Sequence, residues 1–480
     1  MALRGASSTC IFASMHITPF GAAGEVTGSA YLVATELGQV LIDFGMFQGD
    51  AEDDARNIVP HTLHAPDLNA VILTHGHLDH CGRLPLLIRR GFKGRIHATS
   101  ATRDMAELIL MDAARIMESD FARKQRKAQK KGINVNRQDL PLYDSNDAER
   151  TIECFSETPY ETYVEVAPGM TMRLFEAGHM LGSTSVELTV TEQERTVTIV
   201  FSGDLGPRGL PYLQDAVTPP KADIVVLEST YGDRDHRPLS ETVDEFAGIV
   251  KEAIAERGVI LIPSFAIGRS QQVMYHLAQL IREDVIPRVP IYLDSPMAIE
   301  ASNIYARHPE LFDAEASALA QGGQLLHDLA NVRPLATADE SKHLNDVPGP
   351  FIVIAGSGMC TAGRILHHLR RRISDPSAHV IIVGYQAHGT LGRRLVDGHA
   401  EVGILGDRLP VRARIHTLGG FSAHAGQTDL LDWLAPLTAS QPQILLTHGE
   451  DEARIVLQSR IEERFGLTSF LPTYREHLTI

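Results

Sequence analysis

Leu73-Thr74-His75-Gly76-His77-Leu78-Asp79-His80-Cys81-Gly82 follows the apolar pair Val71-Ile72 and puts three histidines and one aspartate within six positions. The apolar run into Leu73 reads as a buried strand that ends at Thr74, and Leu84 to Ile88 suggest a helix close behind. His75 and His77 therefore stand on a strand-to-loop junction, with Asp79 and His80 at a helix start and pointing another way. One tetrahedral ion cannot take all four, whereas two adjacent ions can. Imidazole with carboxylate oxygen is the donor set of zinc, with manganese or iron as substitutes, and catalytic zinc keeps a position open for water. A polar helix start capped by Asp79 would account for one histidine, but not for four donors behind an apolar strand.

Working outward, Asp43 directly follows the strand-like Val40 to Ile42. It is either a turn-forming aspartate or a carboxylate that orients a metal-bound imidazole. His179, in Glu176-Ala177-Gly178-His179, and Asp204, in Ser202-Gly203-Asp204, each end a predicted strand beside glycine. Alone, either could be structural. Together they could supply the third histidine of one ion and the carboxylate that bridges two.

At 480 residues, 44% hydrophobic and 22% charged, the chain has the composition of a globular protein of two or three domains. It holds no apolar run of about 18 residues that could span a bilayer, so no membrane partner is expected. Cys10, Cys81, Cys154 and Cys360 show no CxxC pairing, which points to a reducing, cytoplasmic location. Met15 precedes the first strand-like segment, and residues 1–14 are set apart from the fold as either a non-essential extension or an artefact of start-site choice. The net charge of −16 argues against broad coating of nucleic acid. A local basic cleft remains allowed, and metal ions would add positive charge of their own.

Ala101 to Lys131 reads as a long helix with Met105, Leu108, Ile109 and Ile116 on one face. It ends in the most basic stretch of the chain, ARKQRKAQKKGINVNRQ (122–138), which is either a solvated face or an RNA-contacting surface. From Ile224 onward, strands alternate with helices: Val259 to Pro263, a helix opened by Gly268-Arg269, Ile291 to Leu293, Phe351 to Ala355 and His379 to Val383. This is a second α/β unit, and its place between metal-site motifs marks it as an insertion. Its GSGMCTAGR stretch (356–364) lacks the final glycine spacing and the acidic partner of a dinucleotide fingerprint. Amides at Gly356 and Ser357, with Arg269 and Arg364, could instead grip a substrate phosphate.

These residues match a family. Asp43, the HxHxDH run, His179 and Asp204 resemble the four motifs of the metallo-β-lactamase superfamily, in order and at strand ends. Glu228 in LESTYG, His424 in FSAHA and His448 in LTHGE resemble motifs A, B and C of its β-CASP branch of nucleases, and the short bacterial ribonucleases are the nearest subgroup. The resemblance implies an α/β fold in which an αββα sandwich (15–232 and 411–480) is interrupted by a β-CASP domain (233–410). It implies two Zn²⁺ per chain, with Mn²⁺ able to substitute. One ion would take His75, His77 and His179, and the other Asp79, His80 and His448, with Asp204 bridging and Asp43 behind. His424, Glu228, Asp79 and Asp204 are the catalytic candidates.

In that mechanism a hydroxide bridging the two ions attacks phosphorus in line, leaving 5′-phosphate and 3′-hydroxyl ends. His424 protonates the leaving oxygen and Glu228 orients it. Histidine at motif C goes with the RNA branch, so RNA is the expected partner. Arg269, Arg393, Arg364, Gly356, Ser357 and Ser422 are the substrate-binding candidates. His388, where relatives often carry Glu, joins them with its role open. A thioester or lactam hydrolase, a DNA-directed nuclease and a non-catalytic scaffold are the alternatives. Endonucleolytic against 5′-end attack, and monomer against homodimer, are not decided by the sequence.

Overall fold

The computed structural model describes residues 15–49, 51–134 and 139–480. The opening segment 1–14 and positions 135–138 of the basic stretch lie outside them.

Apolar strands buried on both faces build the frame. Among the described residues, one seven-stranded sheet runs Leu478–Thr479, His16–Pro19, Tyr31–Ala34, Gln39–Ile42, Ala70–Ile72, Arg95–Ala98, Phe155–Glu157. A second runs Ser469–Phe470, Gln443–Thr447, Ile224–Glu228, Arg195–Phe201, Thr184–Glu192, Met170–Glu176, Val164–Ala167. Ile17, Val40, Ile42, Ile72, Val186, Leu188, Ile199 and Val226 fill the space between them. Each such side chain contributes about 1.5–3 kcal/mol on burial. A slip of one residue would turn a whole set outward, so the register is held.

Helices close the outer faces. Helix Ser100–Lys130 packs on the first sheet, while Trp433 of Gln427–Leu434 and Leu457 and Ile461 of Asp451–Phe465 cover the second. The result is the expected αββα sandwich. Along the long helix Met105 and Ile109 are buried, but Ile116 is exposed and forms part of a cavity wall rather than of the core.

The inserted unit holds a six-stranded sheet ordered Val332–Pro334, Ile291–Asp294, Phe351–Ala355, Val259–Pro263, His379–Ile382, Arg414–Thr417. All of its pairings are parallel. Its outermost strand, Arg414–Thr417, lies beyond the boundary expected at 410. The reason is pairing: Val380 faces Ile415 and Ile382 faces Thr417 across the ladder. The chain then returns to the sandwich, where Gln443–Thr447 pairs in parallel with Ile224–Glu228, the strand it left before the insertion.

Candidate metal centre and cleft

Each candidate ligand stands just past the end of a strand or within the short helix that follows it. His75 to His80 follow Ala70–Ile72, His179 follows Met170–Glu176, Asp204 follows Arg195–Phe201 and His448 follows Gln443–Thr447. Close backbone approach makes this possible. A Cβ on Gly45 would lie 1.4 Å from the Asp79 carbonyl oxygen, and one on Gly206 would lie 1.8 Å from that of Gly178, so only glycine lets these loops meet. Arg83 is fully buried behind the histidine loop; it donates to the carbonyls of Gly45, Phe20 and Gly28 and lies over the rings of Phe44 and Phe47. Sequence reasoning missed it, although a cation placed directly after the ligand loop was the signal.

Hydrogen bonds fix the ring orientations. Asp43 accepts from the Thr74 amide and hydroxyl at 2.8 Å each and from His80 Nδ1 at 2.7 Å, which turns His80 Nε2 inward. His179 Nδ1 donates to the Ala423 carbonyl at 2.8 Å, and His448 Nδ1 lies 3.1 Å from the Thr230 hydroxyl. Thr74 and Thr230 thus join Asp43 in positioning the imidazoles. Both stand beside residues singled out in the sequence, and both were overlooked there.

The inward atoms converge. His77 Nδ1 lies 3.1 Å from His75 Nε2 and 3.1 Å from His179 Nε2. His80 Nε2 lies 3.2 Å from His448 Nε2, with Asp79 3.8 Å from that same nitrogen. Between the groups stands Asp204. Its Oδ2 faces His75 and His179 at 3.5 and 3.7 Å, and its Oδ1 faces His80 and His448 at 3.3 and 3.5 Å.

These donors fit divalent cations. His75, His77, His179 and Asp204 form one set whose ligand atoms lie within 4.8 Å of one another, and Asp79, His80 and His448 form another. Burial pushes His75, His77 and His179 below the usual imidazole range, leaving neutral rings with lone pairs to give. Burial alone would raise Asp204, but His448, His80 and His75 outweigh it and hold the carboxyl well below its ordinary range. Asp204 Oδ1 is buried without a hydrogen-bond partner, a vacant valence that a cation satisfies.

His424 stands at the rim. Its Nδ1 lies 3.4 Å from Glu228 Oε1 and 3.9 Å from Asp204 Oδ2. Glu228 is itself held, accepting from the Leu205 and Thr230 amides. His236, absent from the sequence reading, donates through Nε2 to the His424 carbonyl at 2.9 Å; since a carbonyl only accepts, this ring nitrogen carries the proton. Burial pushes the His424 imidazole down, but Glu228 and then Asp204 push harder, and the result is a rise to about 9.

Members of both candidate ligand sets, His77 and His179 of one and Asp79 and His448 of the other, line with His424 a cavity of about 1150 Å³ between sandwich and insertion. Of the substrate-binding candidates, Arg269, Arg393 and Ser422 line it. Gly356, Ser357, Arg364 and His388 do not. The Ser357 hydroxyl accepts from the Thr361 and Ala362 amides and closes its own loop, and His388 is exposed outside the cavity lining.

Arg364 is a correction to the phosphate-gripping expectation. Its Nη1 bonds Asp294 at 2.7 Å and the Leu335 carbonyl at 2.8 Å, and its Nη2 bonds the Ala336 carbonyl. Asp294 is fully buried and also accepts from His368 and Ser341, so the arginine is spent on a long-range network. Arg364→Ala is expected to cost about 1.5–3 kcal/mol of stability, the range for a hydrogen bond to a charged group. The salt dependence of substrate binding should be unchanged, and thermal melts beside binding isotherms check both.

The fold and the donor sets define a metal-dependent hydrolase of the metallo-β-lactamase type. Residues 23–256 match the metallo-beta-lactamase superfamily model, residues 270–395 the Beta-Casp domain, and residues 408–472 the Zn-dependent metallo-hydrolase RNA specificity domain. Ribonuclease TTHA0252 of Thermus thermophilus is 41% identical over 443 residues, 92% of this chain and 95% of the relative. Transcription termination factor FttA is 32% identical in Pyrococcus horikoshii and 30% in Methanosarcina mazei; the matches cover 95% and 94% of this chain and 70% of each relative. A crystal structure of a protein of unknown function from Enterococcus faecalis shares the fold at a TM-score of 0.55 and 13% identity, covering 98% of this chain and all of that one. The chain belongs to the β-CASP nucleases of the metallo-β-lactamase superfamily. Among the described residues no helix is long and apolar enough to cross a membrane.

Proposed function

We propose that this chain is a zinc-dependent ribonuclease that hydrolyses RNA phosphodiester bonds, leaving 5′-phosphate and 3′-hydroxyl ends, in RNA processing or decay in the cytoplasm. The observation that carries the reading is Asp204, whose two oxygens face two separate donor sets at 3.3–3.7 Å. The ribonuclease relative and the RNA specificity domain support RNA as the substrate.

His75, His77 and His179 would hold one zinc ion, Asp79, His80 and His448 the other, and Asp204 would bridge. When bound, the pair supplies an acidified water and positive charge against the attacked phosphate. Asp43 keeps His80 oriented, and His424, protonated through its contact with Glu228, gives its proton to the departing 3′-oxygen. Arg269, Arg393 and Ser422 line the same cavity, which supports them as contacts for the sugar-phosphate backbone. The oligomeric state, monomer or homodimer, is a separate matter that sedimentation would read.

Protein purified without chelator should carry about two zinc ions per chain, since the donors exceed the tetrahedral demand of one. It should cut an RNA oligonucleotide faster than the matching DNA, and end mapping should find 5′-phosphates. Full activity with a single ion, or faster cutting of DNA, overturns the corresponding part of the reading. A thioester or lactam hydrolase would leave the inserted domain and His424 without a task.

A further inference from the structure

Beyond His424 the cavity wall changes character. The Tyr231 ring lies 6.3 Å from that of His424. Past it, three loops converge at the carboxyl ends of adjacent parallel strands of the insertion: Phe265 after Val259–Pro263, Gly358 after Phe351–Ala355 and Tyr385 after His379–Ile382. Crevices at such strand ends are where open α/β sheets bind ligands. Phe265 and Tyr385 line the cavity, yet remain 44% and 56% exposed. Phe265 is seated against the Gly358 backbone, where a Cβ would lie 2.8 Å from its ring. A ring fixed on one side and open on the other is a surface for stacking.

Four residues along, Arg269 opens helix Arg269–Arg282 and faces the same cavity. Its Nε and Nη1 are buried and have no hydrogen-bond partner. Burying a guanidinium unpaired is costly. An anionic ligand removes that cost, and a phosphate matches the planar fork. Open aromatic rings beside an unanswered arginine suit a molecule that alternates flat bases with phosphates.

We propose that this wall binds unpaired nucleotides upstream of the scissile phosphate, with bases stacked on Phe265 and Tyr385 and a phosphate held by Arg269. The assignment of side rests on the ribonuclease reading. Hydrolysis to a 5′-phosphate makes the upstream 3′-oxygen the leaving group, and His424, which would protonate it, is the residue that borders the wall. Bases laid on protein rings have left the duplex stack and their pairing partners, so the upstream strand enters single-stranded.

The test uses the metal-loaded full chain and one single-stranded oligoribonucleotide with a mapped cut, carrying abasic residues either upstream or downstream of it. Upstream abasic residues should lower kcat/KM by about 5- to 100-fold, the range for loss of aromatic stacking. In the Phe265→Ala/Tyr385→Ala variant, intact and upstream-abasic RNA should be cut alike. Equal sensitivity on both sides of the cut, or a variant that still discriminates, overturns the proposal.

Arg269→Met should flatten the salt dependence of binding, read by fluorescence anisotropy, by about 0.7 in slope for one phosphate on a single strand. It should also raise the melting temperature, because an unpaired buried charge is removed. A merely structural arginine would instead lower the melting temperature and leave the slope alone. If the chain cuts no RNA, the ribonuclease reading falls, and anisotropy still judges the wall. Weaker binding of intact but not abasic RNA by the aromatic variant supports nucleotide stacking there, and unchanged binding overturns it.

Discussion

Alanine at position 424 is expected to slow RNA cleavage by about 10²–10⁴-fold, the usual contribution of a positioned acid, while both metal ions stay bound. His424 lies outside the two sets assigned to the ions and belongs to a third group with Asp204 and Glu228. Its loss should therefore spare metal content and strike the proton transfer. A phosphodiester with a nitrophenolate leaving group needs no proton, and its hydrolysis should fall far less. Metal loss in this variant, or equal slowing of both substrates, would make His424 a ligand or a structural ring.

The same residue sets a pH dependence. Against burial, Glu228 and Asp204 raise the imidazole to about 9; bound cations oppose the rise, so the readout is a displacement between two proteins. The acid form is needed, and activity falls as pH climbs through the His424 pKa. In Glu228→Gln the largest raising influence is gone, and the falling limb of kcat should move to lower pH. A limb that stays put removes Glu228 from the role.

Asp204→Asn is expected to lose more activity than any other single change at the centre, beyond the roughly 100-fold typical of a residue that only supports a ligand. The carboxylate faces four imidazoles with two oxygens. An amide keeps the shape but puts an NH₂ donor toward one set of nitrogens and removes the charge that both ions would share. Elemental analysis should find well under two ions per chain. His448→Ala, by contrast, removes a donor from one set only and should leave the His75, His77 and His179 site filled. Near-normal metal content in Asp204→Asn would contradict the bridge.

Much of this centre was legible because each candidate ligand sits at the end of an apolar strand, where periodicity and a neighbouring glycine can be read locally. Asp43, the HxHxDH run, His179, Asp204 and His448 all share that placement, and the structure brings them together. Arg364 was misread for the opposite reason. Its partner Asp294 is 70 residues away, and nothing near the arginine shows that its charge is already answered. Strand Arg414–Thr417 was assigned past the insertion because an edge strand with exposed arginine lacks the apolar signature of its buried neighbours. His236 and Thr230 act through backbone and hydroxyl contacts that only the assembled fold defines.

The pairing of Gln443–Thr447 beside Ile224–Glu228 has a consequence for the order in which a newly made chain becomes competent. His80 and His448 meet although 368 residues separate them, so at 5–20 residues per second the second donor set stays open for roughly 20–75 s after the first histidines emerge from the ribosome. Only in the later part of that interval, once His179 and Asp204 have been made, would the growing chain have the three-histidine set without its counterpart. Any hydrolytic capacity that needs both donor sets therefore waits until Gln443–Thr447 has been made and has paired beside Ile224–Glu228.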